Sequence, residues 1–262
     1  MTDTNAQMAL SYTSYLALDD LLDAQHPRSD EHDELLFIVI HQVYELWFKQ
    51  ILHEVLYLQE HLAAGHTPHA IRTLRRILTI LKVVVAQIDV LETMTPSQFT
   101  SFRARLDASS GFQSAQFREL EAVLGRRDEH VFAHYPEGGE ARERISGAMS
   151  RPSLFDSFVA YLAASGYPVP TGRDVTKPLV PSAELQEVLL RVYRDDTGTS
   201  MVAEHLVDFD EGMQEWRYRH VKMVERTIGD KSGTGGSSGA AYLRSTLFAP
   251  MFPDLWAVRS QL

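Results

Sequence analysis

A chain of 262 residues, 44% hydrophobic and 23% charged, has the composition of an ordinary globular protein and can bury a substantial core as one domain. Its formal net charge of −10 works against nucleic acid or an anionic membrane as a partner. The absence of cysteine excludes disulfides, thiolate-ligated haem, cysteine-held iron–sulfur clusters and cysteine zinc sites, so any iron must be held by His, Tyr, Met or carboxylate.

The N-terminus MTDTNAQMALSY lacks the pattern of a secretory leader, and no apolar run reaches membrane-spanning length without a charge. The expected location is the cytoplasm. The first amphipathic stretch is SYTSYLALDD, residues 11–20, where Tyr12, Tyr15 and Leu16 fall at i, i+3 and i+4 of a short helix continuing through Leu22. Asp33–Leu58 follows as a long helix. Acids at 30, 31, 33 and 34 suit the positive end of its dipole, and apolar residues recur on nearly every turn with no Gly or Pro. Phe37, His41, Tyr44 and Phe48 share one face, which sets an imidazole in an aromatic stripe. Such an imidazole is either satisfied within the core or turned toward a ligand, because buried ring nitrogens need partners.

After a turn at Gly65–Pro68, His69–Leu91 keeps the 3.6-residue period, with Arg72, Arg75, Arg76 and Lys82 on a solvated face. His61, His66 and His69 read as solvated surface rather than as a metal cluster. Thr95-Pro96-Ser97-Gln98 is a helix start, with Thr as N-cap, Pro at the first helical position and Gln completing a capping box. That helix carries Phe99, Phe102, Arg103 and Leu106 and is expected to stop near Ser110-Gly111. Arg103 shares a face with Phe99, so it is either a surface arginine at a helix end or the partner of a carboxylate.

Residues 118–125, 154–164 and 183–193 are expected to be helical, and Gly166–Ser182, rich in Pro and Gly, a loop. Met201–Asp230 is a second long helix. Met213, Trp216, His220, Val224 and Thr227 form one stripe on it, with His220 at the centre and Arg217, Arg219, Lys222 and Arg226 off it. GTGGSSG, residues 233–239, lacks the lysine of a nucleotide-binding loop and reads as a glycine-rich lid with hydroxyls at Thr234 and Ser237. The tail FPDLWAVRSQL forms a short helix with Trp256 buried. With almost no alternating pattern, the expected fold is all-α: one domain over residues 1–262, a helical bundle with a cofactor held between facing helices.

Three of these segments resemble a known family. LLFIVIHQVYELWFKQI (35–51), SSGFQSAQFRELE (109–121) and WRYRHVKMVERTIG (216–229) are similar to the signatures of the tryptophan 2,3-dioxygenase family in its compact bacterial form, and the glycine-rich segment follows in order. The resemblance implies haem b, ferrous when active and one per subunit, with His220 as the iron ligand and Ser110, Gly111 and Trp216 beside the cofactor. It implies His41 as the catalytic residue accepting the indole N–H, and Phe37, Phe99, Tyr12, Tyr15 and Leu16 as walls around the substrate. Arg103 would hold the substrate carboxylate, and Thr234 would contact its ammonium group. The substrates implied are L-tryptophan and O2, both oxygen atoms entering across the indole C2–C3 bond to give N-formyl-L-kynurenine, the first step of tryptophan catabolism by the kynurenine pathway. A homotetramer whose N-terminal segments complete neighbouring sites is implied as well.

Ile88, where the family often has Trp, and Ala115 and Phe117 depart from the family pattern and leave room for a different indole substrate. A paralogue adding one oxygen to an indole derivative, and a haem-binding sensor without turnover, are the competing readings. Arg103 and Thr234 favour an amino-acid substrate.

Overall fold

The computed structural model describes residues 10–107, 109, 111–231, 243–244 and 246–262. Among these the regular structure is helical and no strand occurs. Two short helices, α1 (Tyr12–Leu16) and α2 (Leu18–Leu22), precede the long α3 (His32–Ala63) and α4 (Thr67–Leu91). Then come α5 (Pro96–Arg103), α6 (Ala115–Leu124), α7 (Glu140–Met149), α8 (Leu154–Ala164) and α9 (Ala183–Asp195). The long α10 (Gly198–Ile228) and the short α11 (Pro253–Ala257) complete the described helices.

The centre of the molecule is α4, packed between α3 and α10. Its stripe Leu74, Ile77, Leu81, Val84, Ile88 and Leu91 is buried throughout, as the 3.6-residue period requires of a helix covered on one side by two others. Two side chains staple α3 to α4: the Tyr44 hydroxyl donates to the Val84 carbonyl at 3.2 Å, and Gln87 Nε2 donates to the Ile40 carbonyl at 2.9 Å. On the other side α10 comes so close that a Cβ on Gly212 would sit 2.5 Å from Leu81 Cδ2. A side chain there would force the Leu81 side chain aside, so Gly212 lets the two helices approach closely.

By length and composition α3 would suit a membrane span, with a mean hydropathy of 1.3 over its most apolar window. It nevertheless carries Glu45 and Lys49 mid-helix, and Ile51, Val55, Leu58 and Leu62 are fully buried on the face it turns to the bundle. Glu54, on the same face, accepts from Gln50 and from Arg76. One cation expected on the solvated face of α4 therefore partners a buried acid, which a carboxylate in that position requires.

Capping boxes form at Ser11, Thr95 and Ser153. Other boundaries differ from expectation. The helix expected from Ser11 through Leu22 is broken at Ala17, whose φ is +49°. α5 ends at Arg103 instead of near Ser110, and the chain continues in turns to Asp107, itself at φ +47°. Trp256 is half-buried rather than buried, although its indole N–H donates inward to the carboxylate of Asp210 at 2.9 Å. Asp210 is wholly buried and accepts also from the Phe252 backbone and from Gln214, tying the tail to the middle of α10. His61, His66 and His69 pack ring against ring, and among the described residues no group of three potential ligands is arranged to hold a metal.

Candidate active site

One cavity opens between α3, α5, α6 and α10, and its atom-free space, open mouth included, is about 1620 Å³. The aromatic stripe of α3 forms one wall. Phe37 and His41 lie ring to ring at 4.1 Å, and Phe37 packs in turn on Phe99 and Phe102 of α5, each at 5.7 Å. His41 Nδ1 is 2.7 Å from the Phe37 carbonyl oxygen. A carbonyl only accepts, so the ring proton sits on Nδ1 and Nε2 keeps a free lone pair. A Cβ added at Gly111 would lie in ordinary contact, 3.9 Å from His41 Cδ2 and Nε2, so Gly111 stands beside this edge of the imidazole. Burial lowers the His41 pKa, and the Phe37 carbonyl and the charge of Glu45 resist the shift without reversing it.

His220 faces the cavity from α10. Its ring lies flat on Trp216, four residues earlier, with centroids 5.2 Å apart and an interplanar angle of 6°. Burial, then His41 and Arg118, push its pKa down to about 4, so the imidazole is neutral near pH 7. Trp216 also meets Tyr44 and Phe48 edge to face and lies 4.8 Å from Phe117; its buried Nε1 has no hydrogen-bond partner among the described residues. Arg103, half-buried at the end of α5, lines the cavity beside Phe99 and Leu106.

Elsewhere in the lining Glu121, 3% exposed, receives Arg118 at 2.6 Å, Arg126 at 3.0 Å and Arg217 at 3.1 Å. Burial alone would raise the Glu121 pKa, but the three guanidiniums outweigh it and hold the carboxyl below its ordinary value. Glu45 accepts from Gln116 Nε2 at 2.8 Å.

A neutral imidazole on each of two helices, apolar rings between them and a glycine beside one imidazole make a chemically suitable donor set for a planar iron cofactor. The described lining offers no cluster of carboxylates that would instead suit a hard cation. The family profile of tryptophan 2,3-dioxygenase matches residues 2–160 and 176–262. A tryptophan 2,3-dioxygenase of Anaeromyxobacter sp. (strain K) is 65% identical over 267 residues, covering both chains completely. The chain belongs to the tryptophan 2,3-dioxygenase family. Proteins of that name from Herpetosiphon aurantiacus and Caulobacter vibrioides are 59% and 46% identical, each over 97% of this chain and 99% and 98% of their own. Membership makes the chain an oxidoreductase of the dioxygenase class.

The three signature segments of this tryptophan 2,3-dioxygenase family member converge on the cavity. Phe37, His41, Phe99, Arg103, Gly111, Trp216 and His220 all line it. Tyr12, Tyr15 and Leu16 do not: they lie in or beside α1 at 76%, 73% and 41% exposure. Ser110 and Thr234, with Ser237 and the glycine-rich segment, lie outside the described residues. Of the three departures from the family pattern, Phe117 alone lines the cavity; Ile88 is buried within the bundle, and Ala115 packs on the separate Val131–Tyr135–Ile145 cluster.

Sequence reasoning missed Arg118, Glu121 and Arg217. The signal was present: Arg217 lies four residues from both Met213 and Val221, which are buried, and so shares their face rather than the solvated one. Arg118 and Glu121 stand at i and i+3, one turn apart on one face of a ten-residue helix, where they can pair with each other.

Proposed function

We propose that this chain is a haem-dependent tryptophan 2,3-dioxygenase, converting L-tryptophan and O2 to N-formyl-L-kynurenine with His220 holding the iron. The observation that carries this reading is the tautomer of His41, a neutral imidazole lining the cavity with Nδ1 spent on the Phe37 carbonyl and the Nε2 lone pair left to accept. An acceptor of that kind suits an indole N–H, which can donate and never accept. When bound, ferrous haem b supplies the activation of O2.

The chain's own groups bind, orient and exclude water. His41 Nε2 accepts the indole N–H and so fixes which edge of the ring faces the oxygen. Phe37 and Phe99 close on the indole from the side and leave little room for solvent. Arg103 pairs with the substrate carboxylate, and Thr234 serves its ammonium group. His220 stays neutral through its depressed pKa, as an iron ligand must, and the flat Trp216 ring fixes its orientation.

The N-terminal helices support a shared site. Tyr12, Tyr15 and Leu16 present apolar area to solvent, with Leu10 and Leu22 similarly exposed at 77% and 71%. In a homotetramer this surface covers a neighbour's cavity.

The deciding experiment is turnover under labelled O2 by the purified, haem-loaded protein. Product carrying two labelled oxygens supports the reading. A single oxygen places the chain with indole mono-oxygenases, and a tryptophan-induced spectral change without product makes it a sensor.

A further inference from the structure

The turn between α3 and α4 carries histidines that the cavity does not use. Sequence alone reads them as solvated, yet the chain folds them against one another. α3 ends in a Schellman motif: the His66 N–H donates to the His61 carbonyl at 2.9 Å and the Gly65 N–H to the Leu62 carbonyl at 3.1 Å, with Gly65 at φ +68°. That motif brings together the side chains of its two outer residues, which in many helices are an apolar pair. Here they are His61 and His66.

Their ring centroids are 5.5 Å apart and their Nδ1 atoms 3.3 Å apart. The centroid separation exceeds the nitrogen separation by close to the full width of an imidazole, so the two nitrogens face each other across the gap. His61 is held from other sides as well. The Tyr57 and His69 rings close on it at 4.2 and 4.7 Å, and its Nε2 is buried with no hydrogen-bond partner among the described residues. Nδ1 is therefore the nitrogen of His61 that has a group to meet.

Two ring nitrogens facing each other need positive charge between them, because two lone pairs repel. A shared proton is one answer, but 3.3 Å lies past the usual range of about 2.7–3.2 Å for an N–H hydrogen bond. A metal ion fits the spacing better. Two imidazole nitrogens each about 2.0–2.1 Å from a tetrahedral zinc ion stand about 3.3–3.4 Å from each other. The helix ends do not decide the matter: His61 lies in the last turn of α3, which draws a cation, and His66 caps the start of α4, which repels one. The imidazoles select a borderline transition metal over a hard, oxygen-seeking cation.

We propose that His61 Nδ1 and His66 Nδ1 form a bidentate site for a borderline divalent cation such as Zn2+, Ni2+ or Cu2+, which clasps the end of α3 to the start of α4. His66 is exposed, so water completes the coordination shell. His69 stacks on His61 and is not counted as a ligand, in keeping with the absence of a three-residue ligand group among the described residues. Neither ligand lines the cavity, so the site stands independently of the function proposed above.

The test uses the full chain with its cofactor in place and no affinity tag. Calorimetric titration with Zn2+ should show one ion per chain with a dissociation constant on the order of 10 µM, roughly half the binding free energy of a closed four-ligand zinc site. His66→Gln, a change at an exposed position, should leave the melting temperature of the metal-free chain within about 2 °C and weaken Zn2+ binding by at least about 10-fold. His53→Gln, at an exposed histidine on the same helix, should bind as the wild type does. With Cu2+ as the probe, electron paramagnetic resonance should show splitting from two imidazole nitrogens in the wild type and from one in His66→Gln. Zn2+ binding that survives His66→Gln unaltered, or that is absent from the wild type at about 1 mM, overturns the site. Equal weakening in His53→Gln does so too, because it marks scattered surface binding, as does a wild-type Cu2+ spectrum with a single nitrogen.

Discussion

Replacing Arg103 by Ala tests the substrate class most directly. The residue ends α5, half-buried, with Phe99 and the fully buried Phe102 on the preceding turn, so a carboxylate drawn to it leaves most of its water behind. Broken buried pairs cost about 3–5 kcal/mol and exposed pairs about 1 kcal/mol or less. A half-buried arginine at a cavity wall falls between, at about 2–3 kcal/mol. At about 1.4 kcal/mol per decade this is roughly a 30- to 150-fold loss in kcat/KM for L-tryptophan. Tryptamine, which lacks only the carboxylate, provides the control: its dissociation constant, read by titrating the haem band, should change less than about threefold. Steady-state assays on tryptophan and the titration with tryptamine, on protein whose melting curve is unchanged, give the comparison. Equal losses for both ligands, or none for tryptophan, would show that Arg103 braces α5 and does not touch the carboxylate.

The other expectations concern the two imidazoles and the N-terminus. His220→Ala should purify largely without haem; a normal Soret band with histidine-type ligation in that variant would move the ligand elsewhere. His41→Ala should keep its haem and lose about 10- to 1000-fold in turnover, the range of one positioning hydrogen bond or general base. Because burial depresses the His41 pKa below 6.5, and protonation of Nε2 destroys the acceptor, the acid limb of kcat/KM should be centred below pH 6.5. An acid limb centred above pH 6.5 contradicts the neutral-acceptor role. Deleting residues 1–16 should raise KM for tryptophan with haem content nearly intact, and a fully active truncated monomer would end the shared-site idea.

The long helices were legible because their evidence is local. The period of α3, α4 and α10 and the capping box at Thr95 are written in consecutive residues, and the structure reproduces them to within a few positions at most ends. The pairing of His41 with His220 was not. Spacing places each on an apolar stripe, but the two lie 179 positions apart on helices whose meeting depends on how closely α10 can approach α4. Family signatures carried that step. The Glu121 cluster escaped because its partners come from α6 and α10, and a charged residue in a periodic segment is assumed to face water. The break at Ala17 escaped for a different reason: an alanine at positive φ carries no sequence signal, glycine or asparagine being the usual occupant.

The bond network of Asp210 has a bearing on how the chain is made. Its carboxylate sits in the middle of the helix that carries His220, and two of its donors, the Phe252 backbone and the Trp256 indole, lie 42 and 46 residues further on. During synthesis that acid emerges long before the groups that satisfy it. Until residues 252 and 256 are free to pack, the helix bearing His220 holds that carboxylate with two of its three donors missing, and hydration must substitute for them. The final packing of the helix that carries His220 therefore waits on residues 252 and 256.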